Sequence, residues 1–201
     1  MIRGCSHRLG RALLAPGWSA GHPRRMQIES GMLLVAHPML ADPNFMRSVV
    51  YLLEHNAGGT LGLICNRPLE MDLCEIWDDC PEELGRVRIC AEGGPVERER
   101  GLLLHRLDDI PGSQEIAAGI YIGGAVDSLV DRQPEGPTVD GPRLFLGHAG
   151  WSEEQLQEEI RTGSWILRPG HPSLLLNPRP PEELWKDLIG AGPARPDPSV
   201  N

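Results

Sequence analysis

GMLLVAHPMLADPNFMRSVVYLLEHNAGGTLGLICNRP, residues Gly31–Pro68, is the stretch on which the architecture of this chain depends. It contains three apolar runs of five residues each, flanked by Gly, Pro, Asn or Asp: Met32–Ala36, Val49–Leu53 and Leu61–Cys65. Such short runs between turn residues are typical of strands in a buried sheet, because a helix needs a longer periodic segment. We therefore predict three neighbouring strands, joined by a polar loop and then by a tight turn.

Polar side chains collect at the ends of these predicted strands. In sequence order they are His37, Asp42, Asn44, Arg47, Glu54, His55, Asn66 and Arg67. Binding and catalytic residues are found preferentially on the connections that a rigid sheet positions. We therefore predict that the strand ends carry the functional groups.

The rest of the chain predicts further strands and a few helices. Predicted strands cover Val87–Ala91, Gly101–His105, Ile116–Gly123, Leu144–Leu146, Trp165–Leu167 and Ser173–Leu176. Predicted helices cover Leu69–Gly85, a segment that begins at Val126–Val130, Ser152–Arg161 with Ser152 and Gln155 as a capping box, and a last helix from Pro181 to Gly190. Strands outnumber helices and do not alternate with them regularly, which favours the α+β class over a doubly wound parallel sheet.

Length and charge limit the classes of function. A chain of 201 residues is long enough for one domain with a real core, and we predict that domain over residues 26–190. The formal net charge of -9 disfavours direct binding to nucleic acid, since such binding depends on Lys and Arg displacing counterions from phosphates.

The two termini are expected to lie outside that domain. Residues 1–25 contain five Arg and no acidic residue, and Met26 stands shortly before the first predicted strand. We interpret residues 1–25 as a disordered or upstream extension, with a targeting peptide as the alternative. Residues 191–201 contain three Pro and little to bury, which predicts a loose tail.

The cysteines show neither a disulfide pattern nor zinc-ligand spacing. There are five, and none forms a CxxC pair. An odd count without a pairing pattern suits a reducing compartment, so we predict a cytoplasmic protein without disulfides, metal or other cofactor. No apolar run approaches the roughly 18–20 residues of a membrane-spanning helix, so no membrane partner is expected.

Several short blocks follow one another in a fixed order along the chain. They are GMLLVA from Gly31, Asp42-Pro43, Phe45-x-Arg47-Ser48-Val49-Val50, Glu54-His55, Gly62-Leu63-Ile64-x-Asn66-Arg67-Pro68, Gly93-Gly94-Pro95-Val96, Arg100-Gly101 with Leu104-His105, Gly147-x-Ala149-Gly150-Trp151, Gln155-Leu156, Trp165 and Trp185. Taken together, from about Gly31 to Gly190, these blocks resemble the AlgH/YqgE family. The chain departs from the usual pattern of that family at His148, where Tyr is common, and at Thr60, where Ala is common.

The resemblance implies a fold more than a reaction. It implies coiled, partly bifurcated, mostly antiparallel β-sheets with a few helices packed outside. Members of the family are bacterial, with relatives in plants, and are often described as transcriptional regulators. Neither a DNA-binding motif nor an agreed reaction defines the family, so any effect on transcription is expected to be indirect.

Several specific chemistries can be weighed against simpler structural roles. Gly93-Gly94 could hold a phosphate through backbone N–H groups, but the chain lacks the Lys and the spacing of a phosphate-binding loop, which favours a structural turn. Ser48 could be a nucleophile with Asp42 and a histidine, yet no GxSxG elbow exposes it. His37, His55 and His105 would bind a metal only if they converged; the alternative is three structural histidines.

Charged and aromatic residues also allow two interpretations each. Arg47 and Arg67 are the best candidates for anion binding, because a guanidinium grips carboxylate or phosphate with two hydrogen bonds. The alternative is that they form ion pairs with Asp42, Glu54 or Glu92. The acidic residues Glu153, Glu154, Glu158 and Glu159 are interpreted as a solvated helix face. Trp77, Trp151 and Trp185 are interpreted as core residues, although a partly exposed one could anchor a partner.

These observations favour a non-enzymatic cytoplasmic protein that binds a protein partner or a small anionic ligand. The candidate binding surface consists of Asp42, Asn44, Arg47, His55, Asn66, Arg67, Gly93, Gly94 and His105. The alternative is a hydrolase-like or anion-handling enzyme that uses the same histidines and arginines.

Overall fold

A computed structural model of the chain describes residues 27–77, 80–82, 90–132, 141–176 and 180–191. The predicted extension 1–25 lies outside the described residues, and so does all but the first residue of the predicted tail 191–201. The same holds for the end of the predicted helix Leu69–Gly85 and for the start of the predicted strand Val87–Ala91.

Nine strands and four α-helices stand in the described part of the chain. The strands are β1 Met32–Ala36, β2 Val49–Asn56, β3 Gly59–Ile64, β4 Cys90–Glu92, β5 Val96–His105, β6 Ser113–Ala117, β7 Ile120–Gly123, β8 Arg143–Trp151 and β9 Trp165–Pro169. The helices are α1 Val126–Arg132, α2 Glu153–Arg161, α3 Pro172–Leu176 and α4 Pro181–Gly190, and a 3-10 turn covers Leu73–Glu75. The α+β class is therefore confirmed.

The strands form a forked sheet in the order β6-β7-β5-β8-β3-β2-β1-β9. Every pair in that order is antiparallel. The fork lies at β8, which pairs with β3 through residues 149–151 and with β4, in parallel, through residues 144–146. Because β8 also pairs with β5, one strand belongs to three ladders, which is the coiled, partly bifurcated arrangement that the family resemblance implies.

Both faces of the central strands are buried, which explains their continuous apolar sequence. In β1, Leu33 and Val35 belong to one core, whereas Met32, Leu34 and Ala36 belong to another. Helix α4 covers the first core with Leu184, Trp185 and Leu188, and α2 covers the second with Leu156 and Ile160. The sheet is therefore the middle layer of the molecule.

Helices α2 and α4 lie where the sequence predicts them. The Ser152 side chain caps α2 by accepting a hydrogen bond from the Gln155 backbone N–H at 3.2 Å. The reciprocal half of a capping box does not form, because the Gln155 side chain donates to Glu159 instead, at 2.9 Å. Helix α4 begins at Pro181 and ends at Gly190, as predicted.

Three predicted elements are wrong in type or extent. Ser173–Leu176 belongs to helix α3, because the His171 ring accepts a hydrogen bond from the Ser173 N–H and Pro172 suits a first helical position. The predicted strand Ile116–Gly123 is a hairpin of β6 and β7, which turns at Gly119 with φ of 70°. Of the predicted helix Leu69–Gly85, Leu73–Glu75 is a 3-10 turn and Glu82 is helical, while residues 78–79 and 83–85 lie outside the described residues.

Candidate functional site

The loop between β1 and β2 is a folded unit anchored in the core. An Asp42 side-chain oxygen accepts a hydrogen bond from the Asn44 N–H at 2.8 Å, which shapes the turn. Phe45 points inward, with its ring centroid 5.5 Å from that of Trp151 and 5.4 Å from that of Trp165. The loop therefore holds Asn44 and Arg47 at the rim of the sheet.

Asn66 is a structural residue of this rim. Its buried side chain accepts from the Val49 N–H at 2.8 Å and donates to the Arg47 carbonyl at 2.9 Å and the Pro181 carbonyl at 3.0 Å. These bonds join the start of β2, the end of β3 and the start of α4. Because its polar atoms are already used, Asn66 shapes the candidate surface without offering a free group to a ligand.

Arg47 turns away from Arg67 and towards α4. Its guanidinium lies 3.6 Å from the Glu182 carboxylate and 5.8 Å from the centroid of the Trp185 ring. Arg47 therefore pairs with Glu182 and not with Asp42, Glu54 or Glu92, the partners that the sequence suggests. Because both partners are well exposed, this pair contributes little to stability.

Gly93 and Gly94 form a structural turn packed against β8. A Cβ atom on Gly93 would lie 2.2 Å from the Gly147 carbonyl oxygen, and one on Gly94 would lie 2.2 Å from the His148 carbonyl carbon. The Gly93 N–H already donates to the Leu146 carbonyl at 2.8 Å. This turn serves close approach of two backbones and does not offer the Gly93 N–H to a phosphate.

Arg67, Glu92, Arg98 and Asn44 form a continuous polar chain across the rim. The Glu92 carboxylate lies 3.4 Å from Arg67 and 3.8 Å from Arg98. Arg98 also donates to the Asn44 side-chain oxygen at 3.2 Å. The predicted pair of Arg67 with Glu92 is present, and it belongs to a larger network.

Arg98 reaches this network because β5 contains a large bulge. Val96 pairs with His148 and Gly101 pairs with Leu146, so five steps along β5 match two along β8. The extra length places Glu97-Arg98-Glu99-Arg100 in solvent, with Glu97 at φ of 48°. Sequence reasoning missed Arg98, although four charged residues in succession are the signal of a segment that leaves the sheet. We call the loop 37–48, Arg67, Glu92 and the bulge 97–100 the bulge face.

An apolar groove of about 520 Å³ adjoins the bulge face. Its apolar walls include Leu73, Ile76, Trp77 and Leu144, and Arg98 and Glu99 stand at its edge. Trp77 is only partly buried, as expected of a tryptophan that could anchor a partner. We call this apolar groove the Trp77 groove.

His55 lies away from the bulge face, at the opposite end of β2. Its Nδ1 is 2.7 Å from the Thr60 hydroxyl, so one departure from the usual family pattern supplies its partner. It lines a separate groove of about 960 Å³ with Glu29 and the α2 residues Glu154 and Glu158.

His105 is buried at the far end of β5. Its Nε2 hydrogen-bonds the Gly123 carbonyl at 3.0 Å, and its Nδ1 accepts from the Leu107 N–H at 3.2 Å. Burial lowers the pKa of His105, so the ring is neutral and Nε2 carries the proton. It is a satisfied core histidine.

The nine candidate residues therefore divide into two sets. Seven meet at one rim: Asp42, Asn44, Arg47, Asn66, Arg67, Gly93 and Gly94. His55 and His105 lie elsewhere, and the His37 ring accepts a hydrogen bond from the Met39 N–H. Among the described residues no group of His, Cys, Asp and Glu is arranged to hold a metal. No described helix is both long and apolar enough to cross a bilayer.

Ser48, which the sequence allows as a nucleophile but favours as a structural residue, is buried beneath this rim. Its hydroxyl oxygen has no hydrogen-bond partner, and its residue is fully inaccessible to solvent. A serine nucleophile needs a base within hydrogen-bond reach and an open approach for its substrate. The geometry around Ser48 provides neither.

Comparison with known proteins bears on the family and the fold. A family model described as AlgH-like matches residues 33–194. A UPF0301 protein of Streptomyces coelicolor is 36% identical over 165 residues, covering 80% of this chain and 84% of that protein. A UPF0301 protein of Mycolicibacterium smegmatis is 33% identical over 178 residues, covering 85% of this chain and 86% of the relative.

Two solved structures share the fold. The solution structure of the AlgH protein from Pseudomonas aeruginosa aligns with a TM-score of 0.63 at 31% identity, covering 81% of this chain and 89% of that one. A crystal structure from Corynebacterium diphtheriae aligns with a TM-score of 0.66 at 24% identity, covering 84% and 90%. With most of its length matched by model, sequence and structure alike, this chain belongs to the AlgH-like family.

Proposed function

We propose that this protein is a non-enzymatic cytoplasmic binding protein that holds a protein partner on the bulge face and in the Trp77 groove. One observation carries the proposal: exposed apolar side chains, a charged network and an apolar groove lie next to one another at one rim. Any effect on transcription is indirect in this proposal, because a chain with a net charge of -9 is poorly suited to bind DNA.

Exposed apolar side chains support a protein partner. Four large apolar residues are exposed among the described residues: Met39 at 82%, Met46 at 51%, Ile76 at 41% and Val96 at 41%. Met39 and Met46 stand in the loop that contacts Arg98, Val96 begins the bulge, and Ile76 lines the groove. Flexible Met side chains beside an aromatic anchor are common at protein interfaces.

The two guanidinium groups support an acidic contact on the partner. Arg67 and Arg98 share the single carboxylate of Glu92 at 3.4 Å and 3.8 Å, which leaves most of their five N–H donors each for other acceptors. A partner carboxylate placed between them would gain charge-assisted hydrogen bonds. A small anion could use the same donors, and competition distinguishes the two ligands.

The placement of the reactive residues supports a non-enzymatic role. Ser48 is inaccessible, His105 is neutral and fully bonded inside the fold, and His55 lies at the opposite end of β2. An acyl-transfer or hydrolytic site needs nucleophile, base and oxyanion donors within a few Å of one another. The four free cysteines of the described residues fit the proposed cytoplasmic location.

The experiment is affinity capture with Arg67→Ala/Arg98→Ala against wild type, followed by measured affinity for the captured protein. We expect the double variant to bind at least about tenfold more weakly, which is typical of interface residues that matter. Arg161→Ala is the control, because the Arg161 side chain is exposed to a similar extent as that of Arg98, at 67% against 59%, and is paired with Glu158 on α2.

Equal binding by the double variant and wild type would reject the bulge face as the site. Release of the partner by free phosphate, but not by sodium chloride of equal ionic strength, would instead assign the two arginines to a small anion.

A further inference from the structure

Two cysteines meet beside the Trp77 groove. Cys74 stands in the turn Leu73–Glu75. The Cys80 N–H donates a hydrogen bond to the Trp77 carbonyl at 3.1 Å, which brings Cys80 back towards this turn. The Cys74 Sγ lies 3.7 Å from the Cys80 carbonyl oxygen, so the two cysteines are neighbours in space as well as in sequence. No sequence pattern announces this pair, because its six-residue spacing is not a CxxC motif.

The pair differs from the other described cysteines in its accessibility. Cys74 is exposed and Cys80 is partly exposed, whereas Cys65 and Cys90 are buried. Burial raises the pKa of the Cys65 thiol to about 12, which keeps it protonated and unreactive. Among the cysteines that the structure describes, oxidants in solution therefore meet Cys74 first.

We propose that Cys74 and Cys80 are a site of reversible oxidation, where a peroxide converts the two thiols into an intrachain disulfide. The Cys74 thiol attacks one peroxide oxygen and becomes a sulfenic acid, releasing one water. The Cys80 sulfur then attacks the Cys74 sulfur, forming the S–S bond and releasing a second water. Two thiols lose two electrons in total and one hydrogen peroxide is reduced to two waters, so the step balances.

The roles of the two cysteines follow from their surroundings. Burial, and then the hydrogen bond to Cys74, raise the pKa of Cys80 to about 12, so Cys80 remains a thiol at neutral pH. Cys80 is also the less accessible of the two, so peroxide reaches Cys74 first. From its place beside Cys74, Cys80 attacks the sulfenic acid as it gives up its proton, which leaves with the hydroxyl group as water. Cys74 is thus the oxidised residue and Cys80 the resolving residue.

The disulfide would enclose part of the groove wall. Ile76 and Trp77 lie between the two cysteines in sequence and both line the Trp77 groove. A covalent ring restricts the conformations open to the residues inside it. This modification goes beyond the proposed function, and it is tested without a binding partner.

The test treats the reduced full chain with hydrogen peroxide and maps its disulfides by mass spectrometry under non-reducing conditions. We expect the free-thiol count to fall by two from the five of the sequence, with Cys74 and Cys80 in one linked peptide that dithiothreitol separates. In Cys80→Ser, Cys74 should proceed to sulfinic acid, whereas in Cys74→Ser the Cys80 thiol should stay free. Cys5→Ser is the matched control and should form the same disulfide as wild type.

Two results would overturn the assignment. One is a Cys74 that joins another cysteine or a second chain in preference to Cys80. The other is a wild-type chain that keeps both thiols free while the peroxide oxidises added glutathione. Because both are read in wild type, neither depends on whether a variant folds.

Discussion

Glu159 shows how one carboxylate can organise several aromatic side chains. It accepts a hydrogen bond from the Trp151 indole N–H at 3.0 Å and another from the Trp165 indole N–H at 2.7 Å. The two rings cross at 88°, with centroids 5.9 Å apart, and Phe45 of the loop between β1 and β2 packs against both. Glu159 is therefore not part of a purely solvated helix face, and that interpretation of the sequence is wrong at this residue.

Replacing Glu159 should destabilise the protein more than replacing its neighbour. Glu159→Ala leaves two partly buried indole N–H groups without acceptors, at a cost of roughly 2–3 kcal/mol in the free energy of unfolding. Glu158→Ala removes an exposed pair with Arg161 and should lower the free energy of unfolding far less. Urea denaturation of both variants measures the difference, and equal losses would contradict the role given to Glu159.

The lowered pKa of His105 predicts how the free energy of unfolding depends on pH. Burial lowers its pKa in the folded state, so below about pH 6.5 the unfolded chain binds the proton and the folded chain does not. The free energy of unfolding should then fall as the pH drops from 7 towards 5, by at most about 1.4 kcal/mol per pH unit. His105→Gln removes this titration, so its stability should change less over the same range. Parallel curves for variant and wild type would show that His105 is not the titrating group.

At the scale of elements, the bulge of β5 and the Gly93-Gly94 turn depend on each other through β8. The turn packs against Gly147 and His148, and the bulge begins where Val96 pairs with His148. Ile64 donates to the Gly93 carbonyl at 2.9 Å, which joins the same turn to the end of β3. The geometry of the bulge face is thus set by backbone contacts that leave no room for side chains.

Gly93→Ala should therefore disturb both stability and binding. Its new methyl group would stand 2.2 Å from the Gly147 oxygen and 2.9 Å from a Leu63 methyl group, and relief requires movement of β8. We expect a loss of about 3 kcal/mol in the free energy of unfolding. Gly190→Ala is the control, since nothing lies within 4 Å of a Cβ there. Thermal unfolding of the two variants decides the matter, and a neutral Gly93→Ala would refute the close packing.

The sequence predicts a strand or helix correctly where one local signal dominates. The runs Met32–Ala36 and Val49–Leu53 predicted strands because both of their faces are buried, and Ser152 marked the start of α2 through its cap. It failed at Ser173–Leu176, because a short apolar run fits a strand and a buried helix equally well. The preceding His171-Pro172 pair was the available signal for a helix start.

The candidate site was only partly predictable, for a reason of topology. In an antiparallel sheet successive turns alternate between opposite rims, so the turn after β2 lies away from the loop after β1. His55 could for that reason not join Arg67. The place of Arg98 in the network depends on a register shift between β5 and β8, which no local sequence pattern encodes.

At the scale of the whole molecule, charge distinguishes residues 26–201 from residues 1–25. The net charge is -9 with the five arginines of that segment included, so the remaining residues are more acidic still. Long-range repulsion from phosphates should then dominate the behaviour of residues 26–201 towards DNA.

A chain that starts at Met26 should pass through a column of immobilised duplex DNA even at about 50 mM salt, where electrostatic retention is strong. The full chain, with its arginine-rich segment, should be retarded and should elute as salt rises. The elution volumes of the two chains measure the effect. Salt-sensitive retention of the Met26 chain would revive direct DNA binding as a function.

The fork at β8 has a mechanical consequence. The strand cannot slide against β3 without also sliding against β5 and β4, because a single backbone carries all three registers. A displacement imposed at His148 beside the bulge is therefore transmitted along three peptide units to Trp151, and through its indole to Glu159 on α2. The two rims of the described sheet are thus joined by one continuous strand, whose register fixes both.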